Sequence, residues 1–291
     1  MLRTVLEAVA DEGWFDVTTP FEKTVYMSQG SAQGMALSRN GKPDTFVKFD
    51  AHASLATEAA RSVRSSQCYP DHAPQFVGYT QRSSIDVLVS RAVDFRPITS
   101  QLLLAGRDQI AVNAGLEQYF RRMRDIALPA SKGLPAHEWF AELCAYFQTQ
   151  SIQSAAASGL QRLGNALPAL VPMPQHGDLV LNNLGLRSGR RLVIFDWEDY
   201  GLVQLPGLDL FTLEFSILQD RTQPGASLQS SRPTQVLYVG RMCDALGLAR
   251  NLYAELKLSY ALVFRFLKRN YAPEILARVD GVIDEIIRVG G

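Results

Sequence analysis

QHGDLVLNNLGLRSGRRLVIFDWEDY, residues Gln175 to Tyr200, is the stretch on which the reading of this chain turns. It gathers one histidine, four acidic residues and two asparagines around two short apolar runs. His176, Asp178 and Asn183 fall in one turn-rich loop, and Asp196 and Glu198 follow directly on Leu192-Val193-Ile194-Phe195. A short apolar run bounded by turn residues reads as a buried strand. Carboxylates at its end are poorly placed for packing and well placed for chemistry. In the loop, Asp178 can accept a proton from a hydroxyl, and an Asn183 oxygen can ligate a hard cation such as Mg²⁺. The same residues can also bond local backbone in a capped turn, and Asp196 can simply open the turn after its strand.

A His-x-Asp motif also occurs in transition-metal sites. The chain has four histidines, however, and His52, His72 and His137 lack a partner at ligand spacing, which weighs against a zinc or iron hydrolase. Asn182, Glu198 and Asp199 read as supporting or solvated groups. Asp209, inside the apolar Gly207-Leu208-Asp209-Leu210, reads as a carboxylate bonded to backbone.

Upstream of the loop the pattern is that of a small sheet. Thr24 to Met27, Met35 to Leu37 and Thr45 to Phe49 read as three strands on short turns, hence an antiparallel meander. The turn Ser28 to Gly34 contains Gly30, Ser31 and Gly34, whose unobstructed amides suit a phosphate as well as a plain hairpin. It matches neither GxGxxG nor GxxxxGK[ST]. Lys48 interrupts the apolar Phe46-Val47-x-Phe49. It reads either as a surface lysine facing Asp50 or as a buried ammonium paired with Glu58 on the alanine-rich helix His52 to Ser65. Gln75 to Thr80 and Ile85 to Ser90 supply two further strands. After Arg91-Ala92-Val93 the chain becomes helical over Asp108 to Ala127, His137 to Ser158 and Pro233 to Tyr271, apart from a hairpin over Leu184 to Trp197. A β-rich N-lobe over residues 1–92 and an α-rich C-lobe over 93–291 are expected, with Gln223 to Pro233 as a mobile loop.

Composition narrows the function classes. The 291 residues fit two lobes, and 47% apolar content supports a core. Lys plus Arg and Asp plus Glu each total 29, giving no electrostatic case for nucleic acid or an anionic membrane. Arg121, Arg122 and Arg124 read as a solvated helix face. Cys68, Cys144 and Cys243 are odd in number and widely spaced, which fits a reducing compartment. Glu7, Asp11 and Glu12 break any signal-peptide core, and Glu255, Lys257 and Arg265 interrupt the apolar Leu252 to Phe266 well short of a membrane span. A cytoplasmic protein is expected.

The order of these features resembles the aminoglycoside-phosphotransferase-like kinases, the small-molecule branch of the protein-kinase-like fold. The shared features are the glycine turn, Val47-Lys48, helical Glu58, the lobe transition at Arg91 to Val93, HGDLVLNN, the strand ending in FDWE, and GLDL. The likeness spans roughly residues 20–215 and is most specific over His176 to Asp196. It implies an α+β, two-lobed kinase-like fold and an enzyme using ATP or GTP with Mg²⁺ to phosphorylate a hydroxyl of a small molecule. By the same resemblance, the backbone of Arg91 to Val93 holds the nucleobase, and Gly30, Ser31 and Gly34 approach the phosphates. Lys48, held by Glu58, contacts the phosphates, Asn183 and Asp196 hold the metal, Asp178 is the base, and His176 fixes its loop. Gly177 stands where protein kinases have arginine, and DWED lacks the DFG glycine, which points away from a phosphorylation-gated protein kinase. An inactive nucleotide-binding scaffold and a metal-dependent hydrolase are the competing readings. From Gly201 onward, ten Lys/Arg against nine Asp/Glu weakly disfavour a polycationic acceptor. The acceptor and the oligomeric state stay open.

Overall fold

A computed structural model describes residues 1–27, 32–52, 54–100, 107–126, 137–150, 153–221 and 232–290. The chain forms two compact units. The first takes in Met1–Ile98, Ile110–Gly115 and Asn182–Tyr200, and the second Thr99–Gln109, Leu116–Leu181 and Gly201–Gly291.

The first unit is organised by alternation. Its antiparallel sheet runs in the order β1 (Glu22–Met27), β2 (Gln33–Arg39), β3 (Lys42–Asp50), β5 (Ile85–Arg91), β4 (Phe76–Arg82). The first three strands form the expected meander, but β5 rather than β4 lies beside β3. Successive side chains on a strand point to opposite faces. Met35 and Leu37, Val47 and Phe49, and Val87 and Val89 therefore share one face, packed against Val5, Ala8 and Val9 of the N-terminal helix α1 (Leu2–Asp11). The other face carries Leu88, covered by Leu55 and Ala59 of α2 (Leu55–Cys68). Lys48 pairs with Leu88 in the β3–β5 register and so belongs to this second face. Asn40 and Gly41, both at positive φ, make the tight turn that sets the β2–β3 register.

Helix α2 starts at Leu55, not at His52. The reason is local: the Asp50 carboxylate accepts the His52 amide at 3.0 Å and the Ser54 hydroxyl, and the Leu55 amide donates to Asp86 at 2.8 Å. These bonds offer the chain an alternative to helix until Leu55. A second, three-stranded sheet joins β6 (Phe95–Pro97), β7 (Leu184–Arg187) and β8 (Arg191–Ile194). The β7–β8 hairpin agrees with the expectation for Leu184 to Trp197.

The second unit is helical. Its described helices include the later part of α3 (Arg107–Ile126), with α4 (His137–Gln148), α5 (Gln153–Ala166), α6 (Leu208–Arg221), α7 (Arg232–Leu246), α8 (Arg250–Glu255), α9 (Lys257–Leu267) and α10 (Pro273–Gly290). Eight of the eleven residues of α9 are buried, so it is apolar on nearly all sides and forms the centre of this unit. The stretch expected to be helical over Pro233 to Tyr271 is so, as the three helices α7, α8 and α9. Gly247 at φ +69 and the Leu248 amide bonded to Cys243 O close α7. The stretch expected to be helical over His137 to Ser158 is divided between α4 and α5. Arg121, Arg122 and Arg124 are exposed on α3, as expected. Most of the loop expected over Gln223 to Pro233 lies outside the described residues, and Arg232 and Pro233 open α7. The three cysteines form no disulfide with one another. Among the described residues, no helix is long and apolar enough to cross a membrane.

Candidate active site

Two groups of polar side chains, one in each unit, contain most of the residues singled out by the sequence. In the first unit, alternation places Lys48 on the α2 face, and Glu58 lies on the first turn of α2. The Lys48 ammonium lies 2.8 Å from Glu58 Oε2, which settles the two readings of this lysine in favour of the helix partner. Asp50 is 1% exposed and bonds the turn before α2 instead. Lys48 Nζ is also 3.1 Å from Glu198 Oε2 and 3.8 Å from Asp196 Oδ1. Arg61, one turn after Glu58, donates to the Glu198 carbonyl oxygen.

Burial alone pulls the Lys48 ammonium downward. Glu58, then Glu198 and Asp196, outweigh it, and the net shift is well above the usual lysine range. Burial raises Glu58 first, and Lys48 only partly offsets it. Three carboxylates thus surround one ammonium. Oxygens of Glu58, Asp196 and Glu198 lie within 4.8 Å of one another, a donor set suited to a hard cation.

The hairpin accounts for the position of Asp196. Leu184 pairs with Ile194, so Asn183 and Phe195 meet at its open end, where the Phe195 amide donates to Asn183 O at 2.8 Å. Asp196 then adopts a left-handed backbone, φ 61 and ψ 63, which a short polar side chain tolerates better than most. The following turn is anchored by Trp197, whose indole N–H donates to Ile194 O at 2.7 Å. Trp197 also packs with Tyr69 and Tyr200 at ring separations of 5.1 and 5.5 Å.

The remaining residues expected near a nucleotide are divided. Gly30 and Ser31 lie outside the described residues. Gly34 is in strand β2 rather than in a turn, opposite Lys48. A Cβ there would come within 2.8 Å of the Phe46 ring, so cross-strand packing by itself calls for glycine. The Arg91 and Ala92 amides already donate to Gln75 O and Asp44 O, at 2.8 and 2.9 Å.

In the second unit, the loop Gln175 to Leu181 is held from α6. Asp209, fully buried, accepts the His176 amide at 2.7 Å, the Gly177 amide at 2.9 Å and the Tyr119 hydroxyl at 2.7 Å. Gln175 Oε1 accepts the Asp209 amide. The expected backbone-bonding role of Asp209 is what the structure shows. Burial raises its carboxyl above the ordinary value, against the opposing effect of His176, Tyr119 and the two amides. Gly177 sits at φ +90, a conformation that a side chain would strain, so glycine is required where an arginine would stand in a protein kinase. His176 is fully buried and its Nδ1 accepts the Asp178 amide at 3.3 Å. Asp178 itself is half-buried, with its Oδ2 3.1 Å from Lys268 Nζ.

Sequence reading missed Lys268, Arg61 and the contact made by Glu198. The two-residue spacing of Asp196 and Glu198 was a usable signal for Glu198. For Lys268 there was only a lysine closing an apolar helix.

No protein-family model matches the sequence, and no curated protein matches it at the sequence level. Solved structures do match in shape. A choline kinase from Streptococcus pneumoniae is 12% identical with a TM-score of 0.64, covering 98% of this chain and 99% of that one. A thermostable mutant of an aminoglycoside phosphotransferase, solved with AMP-PNP and hygromycin B, is 14% identical with a TM-score of 0.63, covering 97% and 99%. A third structure, an aminoglycoside phosphotransferase with GDP and kanamycin, is 12% identical with a TM-score of 0.61, covering 97% and 98%. The chain has the aminoglycoside phosphotransferase and choline kinase fold. The α+β, kinase-like class expected from the sequence is therefore the class observed.

Proposed function

We propose that this protein is a small-molecule kinase that moves the γ-phosphoryl group of a nucleoside triphosphate to a hydroxyl of a small acceptor. The observation that carries this reading is the Lys48 ammonium held 2.8 Å from Glu58 beside Asp196 and Glu198. An inactive nucleotide-binding scaffold has no need to retain that whole set together with Asp178. A hydrolase built on His176 is disfavoured, because that imidazole is fully buried and engaged with the Asp178 amide.

In this mechanism Lys48 binds the nucleotide phosphates and Glu58 keeps the ammonium in place. Gly30, Ser31 and Gly34 approach the phosphates through backbone. The nucleobase bonds the backbone of Arg91 to Val93, with the Val93 amide as donor because the other two amides are engaged. Asn183 and Asp196 are the residues that would hold Mg²⁺, which supplies charge neutralisation at the phosphates when bound. Asp196 belongs to the carboxylate cluster beside Lys48, and carboxylate and amide oxygens are the donors such a hard cation takes. Asp178 accepts the acceptor's hydroxyl proton as that oxygen bonds to the γ-phosphorus and the bond to the β-phosphate oxygen breaks. His176 fixes the loop without reacting. The division into an N-lobe over residues 1–92 and a C-lobe over 93–291 belongs to the same proposal.

Among the structural neighbours, one was solved with AMP-PNP and another with GDP, so either purine is compatible with the fold. A sugar, an amino alcohol or an antibiotic-like molecule is the acceptor class, and a cytoplasmic setting supplies both substrates. The test is transfer of labelled γ-phosphate across a panel of hydroxyl metabolites and antibiotics with Mg²⁺. Transfer to one acceptor supports the reading. Nucleotide binding with no transfer to any acceptor replaces it with the scaffold, and stabilisation by zinc rather than by ATP with Mg²⁺ replaces it with the hydrolase.

A further inference from the structure

Among the described residues, Lys268 is the most deeply buried lysine that touches a proposed site residue. It follows α9, and its amide closes that helix by donating to Phe264 O at 3.0 Å. The residue is 2% exposed, yet it carries an ammonium, which is tolerated in such a place only when paired. Its partner is Asp178, at 3.1 Å. Nζ also donates to the Tyr271 hydroxyl at 3.2 Å, and it lies 4.4 Å from the centre of the Tyr271 ring and 5.8 Å from that of Phe264. The backbone beneath it is fixed as well, because the Tyr271 amide donates to Lys268 O at 2.8 Å.

The carboxylate that pairs with this buried ammonium is the one in the HGD loop. Asp178 is bonded through its backbone on one side, where its amide meets His176. Its side chain is met from a different element by Lys268. Backbone and carboxylate are thus located independently, and the carboxylate is the part whose direction governs proton acceptance. Holding a reacting group within a narrow range of orientation is one of the larger contributions an enzyme can make.

We propose that Lys268 is a positioning residue that fixes the Asp178 carboxylate for phosphoryl transfer, with Tyr271 as the aromatic cover and second partner of its ammonium. The inference rests on the kinase reading above. Lys268→Met keeps the length and apolar packing of the stem while deleting the charge, and Lys268→Arg keeps the charge with a different head.

The experiment compares wild type, Lys268→Met, Lys268→Arg and Tyr271→Phe in steady-state transfer to the acceptor found by the screen, with thermal melting alongside. The methionine variant should lose about 100-fold in kcat while KM for the nucleotide stays within about twofold, as for a misplaced reacting group. The arginine variant should recover part of that loss. A folded methionine variant with wild-type kcat overturns the inference and leaves the kinase reading standing. If wild type transfers to no acceptor, the kinase reading fails and takes this inference with it. If the methionine variant does not fold, Tyr271→Phe decides, because it keeps the ring but removes the hydroxyl contact. Lowered kcat at unchanged melting temperature supports the role, and unchanged kcat overturns it.

Discussion

Around Lys48 three carboxylates share one ammonium, whereas around Asp178 a buried ammonium answers one carboxylate under aromatic rings. The first group belongs to the sheet-bearing unit and the second to the helical one. An excess of carboxylates raises the affinity of a place for cations. A carboxylate met by a buried ammonium has little such effect and contributes direction instead. The two groups should therefore respond differently to the same kind of damage. Changes near Lys48 should alter the dependence on metal, and changes near Asp178 should alter turnover while metal demand stays constant.

The harshest way to break this contrast is Asp178→Asn. It should lower kcat about 1,000-fold, in the range for removing a general base, with little change in the Mg²⁺ concentration needed for half-maximal rate. A matching rise in Mg²⁺ demand would merge the two groups into one. Asp196→Asn should cost about 100-fold and, unlike the first variant, should raise that Mg²⁺ requirement, and EDTA should abolish wild-type transfer. Titration of rate against Mg²⁺ for both variants measures the difference directly.

Asp209→Asn tests the scaffold beneath Asp178. It leaves one acceptor oxygen for the three donors from His176, Gly177 and Tyr119, and should cost about 2–3 kcal/mol of stability in denaturant titration. The smallest effect concerns His72, which is 3% exposed and bonds Gly115 O at 3.1 Å through Nε2. Burial depresses its basicity below the ordinary 6.5, with Arg187 adding and the Gly115 bond and Asp71 opposing. The unfolded chain therefore binds this proton more readily than the folded one. Stability from this source is complete above pH 6.5 and is lost as the pH falls through the folded value. Melting temperature should decline on acidification, and His72→Gln should flatten part of that decline.

What could be read in advance follows from periodicity and short range. Alternation along β2, β3 and β5 was visible as apolar pairs, and the same alternation set Lys48 apart from Val47 and Phe49. Glu58 was within reach because the helix carrying it begins a few residues after that strand. The start of α2 was misjudged because it depends on Asp50 and on Asp86, a residue 31 positions from Leu55. Alanine-rich composition cannot report a competing carboxylate. Gly34 was expected in a turn because small residues resemble turn formers, but the Phe46 ring across the strand pair accounts for it. Glu198 and Lys268 required knowledge of packing between segments 150 and 90 positions apart, which no local pattern encodes.

The discontinuity of the first unit has a consequence for how the protein is made. Its five-stranded sheet is complete in sequence by Arg91, but Asn182–Tyr200 must also be present before the unit is whole. At ordinary translation rates the intervening hundred or so residues take roughly 5 to 20 s to emerge. During that interval Lys48 and Glu58 exist as a nascent pair without Asp196 or Glu198, and β6 lacks the hairpin it pairs with. A chain released early would carry an unfinished domain, and a fragment stopping at residue 98 should be recovered as a substrate for chaperones and proteases.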